Sequence, residues 1–300
     1  MSDSAPTTRN RSGFLPRLMP GPFVWLIAPA ALFTIVLTAF PLGFAVHLSL
    51  QRSLLGTNPH FVGLENYVRM VEDPVFWSGL VVTFVLYVLA LALQLILGMY
   101  VALVLNRALA GVRFLRTVLL SPLSMPPVAV GMMWLILLDP SFGPVNYLLQ
   151  VLGIPKSLFL ASPQLVVPTL AVLDTWQFTP FIALILLGGL QALPEEPYEA
   201  AEIDGASRLQ RFWRITIPLL RPSIVTAALL RSIDLLRFFD LIYITTQGGP
   251  GNASTTLNIY AYQMGFVFYH TDYASALMIT LFLVVLIMVL VLSLFRRAAR

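Results

Sequence analysis

The chain has 300 residues, 58% of them hydrophobic and 11% charged, with a mean hydropathy of +0.84. A soluble domain carries about 25% charged residues, so this sequence lacks the groups to cover a water-facing surface and reads as an integral membrane protein. Without cysteine, disulfides and thiol-based metal or redox chemistry are excluded, and the formal charge of +4 sits where it sets membrane topology rather than nucleic-acid binding.

Residues 1–22 are polar, carry Arg9, Arg11 and Arg17, and read as a cytoplasmic N-terminal tail. The apolar run from Phe23 is too long for a signal-peptide core and has no small-residue cleavage site, so it is predicted to be an uncleaved first span. An all-α fold of about six transmembrane helices follows, each close to the ~20 residues that cross hydrocarbon. The predicted spans lie near 23–48, 78–105, 114–138, 164–190, 223–245 and 274–295. The membrane domain is thus 23–295, and 296–300 is a cytoplasmic C-terminal tail.

Arginine in the connecting segments fixes the orientation. With the N-terminus cytoplasmic, that side also receives Arg107, Arg113, Arg116, Arg208, Arg211, Arg214, Arg221, Arg296, Arg297 and Arg300, against Arg52, Arg69 and Lys156 opposite. Pro122, Pro126 and Pro127 crowd the third span; each removes a backbone donor, and together they predict a broken helix beside a cavity. The outer segments 51–77, 139–163 and 246–273 would face an external partner.

The cytoplasmic loop 195–222 is the most patterned stretch. Pro197 suits the first turn of a helix, and Glu195, Glu196 and Glu199 lie near its positive end. About two turns over 198–204, bearing Ala200 and Ala201, end at Gly205, a residue free to take the left-handed conformation. A second helix is predicted from Ser207 to about Thr216. There Leu209, Phe212, Trp213 and Thr216 fall at helical spacing while Arg208, Arg211 and Arg214 line another face, as in a helix at the headgroup boundary. Pro218 and Pro222 are expected to break the chain before the next span.

Glu199-Ala200-Ala201, then Asp204-Gly205-Ala206, Phe212, Ile215, Ile217-Pro218 and Pro222 resemble the EAA loop of ABC-importer permeases. FVGLENY (61–67), DPVFW (73–77), FGPVNYLL (142–149), DTWQFTPF (174–181) and FDLIYITTQGGPGNAST (239–255) are similar to the carbohydrate branch of that family, the relatives of the maltose permease. The resemblance covers roughly residues 23–295 and implies the type I importer permease fold, in the bacterial cytoplasmic membrane. It implies that the loop is a coupling helix docking into an ATPase subunit through Glu199, Ala200, Ala201, Asp204, Gly205, Ala206 and Phe212. It also implies a second permease subunit in a heterodimer, two ATP-binding subunits and an external substrate-binding protein.

ATP and Mg would be used by the partner, because this chain has no P-loop: that motif needs G-x-x-x-x-G-K-[ST], and the single lysine lies in LGIPKS, where Pro155 replaces glycine. The chain is therefore predicted to bind no cofactor or metal and to catalyse nothing. His47, His60 and His270 are scattered.

Ionisable residues inside spans cost about 2.5–3.5 kcal/mol each by insertion scales and default to functional roles. Asp174, Gln177, Phe178 and Phe181 share one helical face, and Arg231, Asp234, Leu235 and Phe238 repeat the spacing on the next span. Carboxylates and guanidinium groups hydrogen-bond sugar hydroxyls, aromatic rings offer flat apolar faces, and in the maltose relatives the matching region contacts the sugar. These eight residues are the predicted substrate pathway. The alternative for the charged ones is pairing within the span, Arg231 with Asp234 and Arg237 with Asp240, to hold helices together. Asp174, without a charged partner in its own span, fits the pathway better. Two other readings remain at this point: an ion-coupled secondary transporter using the fifth-span charges, and an intramembrane enzyme using Asp174 and Asp234. More charge on the fifth span than the maltose pattern carries leaves disaccharide, oligosaccharide, polyol and glycerol phosphate open.

Overall fold

A computed structural model describes residues 22–52, 59–107 and 112–298. The predicted N-terminal tail, apart from Pro22, and the last two residues lie outside this set, as do the side chains of Arg113, Arg296 and Arg297. The chain divides into two compact units, 1–44 and 45–300. Helix α1 (Pro22–Ser49) begins in the first; its described part there is apolar and exposed, Phe33 and Phe40 included.

In the second unit, a two-residue antiparallel ladder pairs β1 (Gln51–Arg52) with β2 (His60–Phe61). Helices α2 (Glu65–Glu72) and α3 (Pro74–Leu105) follow. The start of α3 is fixed locally: Pro74 occupies the first turn and the Asp73 carboxylate accepts the Val75 N–H at 2.8 Å.

The expected break of the third span is present. Helix α4 (Val112–Leu120) gives way to a 3-10 turn at Ser121–Ser124, and α5 (Pro127–Leu137) leaves at a bend of 98°. After α6 (Pro144–Val151), α7 (Val166–Gln191) runs through the centre of the unit and packs along α3. Gly98 permits this approach: a Cβ there would sit 2.5 Å from Ile182 Cγ2.

Beyond α8 (Glu196–Ile203), α9 (Arg208–Arg211) continues through a π-helical turn, Phe212–Thr216, into α10 (Ile217–Leu236). The expected breaks are therefore corrected, at Pro222, which lies inside α10, as at Pro218. In a regular helix the proline ring would press on the carbonyl four residues back. The wider turn before it, closed by Ile217 N–H on Phe212 O, relieves that pressure and keeps the helix continuous.

The fifth span is also revised. Instead of one helix over 223–245, α10 stops at Leu236 and α11 (Asp240–Thr245) restarts after Phe239, with the Asn258 side chain donating to the freed Arg237 carbonyl at 2.8 Å. Irregular backbone inside a membrane must find such internal partners. Among the described residues, α1, α3, α7 and α13 (Thr271–Ala298) are long and apolar enough to cross a membrane, and α4 with α5 makes a fifth if the bent pair is one span. α10 misses that criterion because Arg221, Arg231 and Asp234 fall within it. α13 runs on through Arg296 and Arg297, where a tail was expected.

Residues 246–273 are not a loop spread over the surface. Ser254, Thr255, Thr256 and Leu257 are buried, and α12 (Leu257–Tyr262) leads into a second π-helical turn, Gln263–Val267. Thr83 of α3 accepts the Leu257 N–H at 3.0 Å, while Tyr260 and Tyr273 both donate to Asp73. Polar residues in this stretch hydrogen-bond inward, which is why they are buried. Burial alone would raise the Asp73 carboxyl; the two tyrosine hydroxyls, with the N–H groups of Val75 and Phe76, outweigh it and hold the group below its ordinary value.

Candidate functional site

The loop after α7 folds as the sequence pattern prescribes. Helix α8 begins with Pro197 in its first turn and ends on Gly205 at φ +73°. Ala206 N–H reaches Ala201 O at 2.9 Å and Gly205 N–H reaches Glu202 O at 3.1 Å, the paired closure of a left-handed helix end. Two residues on, Ser207 and Gln210 cap α9 reciprocally, at 3.3 and 2.8 Å. Tyr198 donates to Thr216 at 3.0 Å, and Arg211 meets Glu202 at 3.2 Å, so α8 is tied to the start of the next helix.

Among the seven predicted contact residues, Glu199, Ala200, Asp204 and Gly205 are exposed and Ala201 and Ala206 are half-buried. Glu199 has no side-chain partner among the described residues. Phe212 differs: it lines an apolar groove with Leu95, Met99 and Leu186, anchoring the loop to the helices above it. The predicted face of the second helix splits as well. Leu209 and Trp213 are exposed, while Thr216 is buried, because the π-turn rotates it away from the 3.6-residue period.

The charges within the spans close on one another. Arg231 Nη2 lies 2.7 and 2.5 Å from the two oxygens of Asp174, Gln94 Nε2 donates to Asp174 Oδ2 at 2.6 Å, and Arg231 Nε donates to Gln94 Oε1 at 2.8 Å. The guanidinium carbon sits 3.9 Å from the centre of the Phe178 ring. All three polar residues are buried, and they belong to α3, α7 and α10. Asp174, which lacks a charged partner on its own helix, therefore finds one on another.

The other pathway candidates are distributed. Gln177 is buried and donates to Met125 O at 3.0 Å, satisfying a carbonyl at the α4–α5 break. Phe181, Leu235 and Phe238 pack in apolar clusters. Asp234 is half-exposed, 3.7 Å from Arg231 and 3.8 Å from Arg237. Asp240 is exposed at the start of α11 and makes no ion pair with Arg237 among the described residues. Gln94 was missed by sequence reasoning; its signal was a lone amide midway along a long apolar run. Among the described residues, no three His, Cys, Asp or Glu side chains gather to hold a metal ion.

Apolar helices with a broken span, polar groups paired at depth and a capped helix held out beyond them define a multi-pass membrane permease. The chain belongs to the family described as binding-protein-dependent transport system inner membrane component, whose model matches residues 94–299; it is a permease subunit of an ABC importer. It is 38% identical over 239 residues to the trehalose/maltose transport system permease protein of Thermococcus litoralis, covering 79% of this chain and 81% of that one. The trehalose transport system permease protein of Mycobacterium tuberculosis is 34% identical over 86% of this chain and 82% of its own. Among solved structures, a bacterial ABC transporter involved in alginate import aligns with a TM-score of 0.80 at 23% identity, over 92% of this chain and 96% of that one, a likeness of fold.

Proposed function

We propose that this chain translocates a sugar or related solute across the cytoplasmic membrane by alternating access, with both termini cytoplasmic, driven by ATP hydrolysis on separate subunits. The observation that carries this reading is α8: a short helix closed at its C-terminal end by Gly205, whose exposed face offers Glu199, Ala200, Asp204 and Gly205, with the Glu199 carboxylate unpartnered among the described residues. Small side chains let another protein approach the backbone closely, and an acid there suits a basic residue across the contact. The relatives named for trehalose and maltose supply the solute class.

In this reading two ATP-binding subunits use ATP and Mg, a second permease chain completes the path, and an external binding protein delivers the solute. Closure of the ATPase pair pulls α8. The Tyr198–Thr216 hydrogen bond passes that displacement to the helix running from α9 into α10, and so to Arg231 and the junction with α3 and α7. Rocking of the helices then exposes the path first outward and then inward.

The test is uptake against hydrolysis in the reconstituted importer. Glu199→Gln leaves insertion and thermal stability as in the wild type, because nothing in the fold depends on that carboxylate, and separates ATP hydrolysis from solute accumulation. Wild-type transport by both Glu199→Gln and Gly205→Val would remove α8 from the coupling role.

A further inference from the structure

The segment after the fifth span builds a cleft that the pathway residues do not account for. It encloses about 400 Å³, within the range of small-molecule sites. Its lining includes Tyr243 and Tyr262, with ring centres 5.0 Å apart, and also Tyr260 and Phe268; outside the lining, Phe239 stacks on Tyr243 and Phe266 on Tyr262, each at 5.2 Å. The amides of Gln247, Asn252 and Gln263 also line it. No Asp, Glu, Lys, Arg or His lines the cleft among the described residues.

Two of the amides are presented at a cost. Gln247 has φ +51° and Asn252 has φ +67°, the left-handed region, which asparagine enters more readily than glutamine. Glycines stand beside both, at 248 and 251, yet the strained positions carry amides. Neither amide has a hydrogen-bond partner among the described residues. Gln263, by contrast, is held by its donation to Gln247 O at 2.9 Å. Exposed amides with no partner among the described residues, beside a concave surface rich in aromatic rings, are free to bond a ligand.

We propose that this cleft is a sugar subsite for neutral carbohydrate, on the face of the membrane opposite α8. The side follows from helix length: α10 alone, 20 residues, is about 30 Å at ~1.5 Å per residue, the thickness of the ~30 Å core. The class follows from the lining. The flat C–H face of a pyranose rests on aromatic rings, and its hydroxyls both donate and accept, as carboxamides do. With no cation at hand, a phosphorylated or acidic solute would lose its hydration without compensation. The proposal rests on the importer reading and narrows its solute.

The experiment uses the full chain in lipid nanodiscs, with maltose, trehalose and glycerol 3-phosphate as probes and saturation-transfer NMR as the readout. At least one disaccharide is expected to bind and glycerol 3-phosphate not to. Tyr262→Leu, which keeps apolar bulk, should weaken the sugar about tenfold, and Gln247→Gly and Asn252→Gly about threefold each, the size of one lost aromatic anchor or hydrogen bond. The two glycine variants relax the backbone, so their thermal stability should equal or exceed that of the wild type while affinity falls; a purely structural role would not produce that opposition. Unchanged affinity in all three variants, no disaccharide binding, or preferential binding of glycerol 3-phosphate overturns the cleft. ATP-driven uptake is scored separately in the reconstituted importer. Uptake that needs ATP but ignores these residues leaves the importer standing without the subsite, whereas cleft-dependent binding with ATP-independent uptake does the reverse.

Discussion

Asp174 and Glu199 are both acids that sequence pattern singles out, and the fold treats them oppositely. Asp174 is fully buried and every strong interaction it can make is made, with Arg231 and Gln94. Glu199 is exposed on a helix closed at its C-terminal end, and its carboxylate has no partner among the described residues. A charge inside apolar surroundings must be neutralised within the chain or the helix does not stay there. A charge at the water-facing end carries no such demand, so leaving it unpaired is free. Where saturation is compulsory it says little about ligands; an acid left unmatched on an exposed helix is available to a partner, as the coupling proposal requires.

The sharpest way to break this contrast is at Arg231. Arg231→Met leaves Asp174 buried without its cation and should cost about 3–5 kcal/mol, read as a large fall in the thermal midpoint in detergent. Asp174→Leu combined with Arg231→Met should recover most of the loss, since the apolar pair needs no partner; a double variant as unstable as the single one would mean the knot is more than an ion pair. Gly98→Ala, one turn from Gln94, would push its Cβ into Ile182 and cost about 1–3 kcal/mol, read the same way. On the exposed side, Ser207→Ala removes the cap of α9 at about 1 kcal/mol. It should reduce coupled uptake more than it lowers the thermal midpoint, because the capped turn orients α8 but holds no core.

Asp73 is an intermediate case, at the end of a span and half-buried. Its folded-state value is depressed, so its stabilising contribution is present above the ordinary carboxylate range near pH ~4 and is lost as pH falls through the lower folded value. The difference in thermal midpoint between wild type and Asp73→Asn should be constant from neutral pH to about pH 5 and shrink below about pH 4.

Much of this was legible in the sequence because it depends on local chemistry. Pro197, Gly205 and Ser207 specify the ends of two short helices by backbone geometry alone, and the prolines at 122, 126 and 127 forecast a break. What escaped were relations between distant segments. The partner of Asp174 lies 57 residues away and Gln94 lies 80, separations at which helical spacing has no reach. The continuity across Pro218 was missed because a proline after four well-spaced residues reads as a stop; only the widened turn ahead of it makes room. The burial of 254–262 was likewise hidden, since serine and threonine look like a loop until their hydroxyls find backbone to bond.

That widened turn at Phe212–Thr216 has a mechanical consequence. Because α9, the turn and α10 follow one another without a loop, a push at α9 would travel along a continuous helix as far as Arg231. Tilting such a helix by about 10° would swing its far end through roughly 7 Å, so in the coupling proposal a modest nudge at the base becomes a larger displacement at the other end. A proline placed where it would ordinarily make a hinge is, by one extra residue of slack in the coil, turned into part of a stiff shaft.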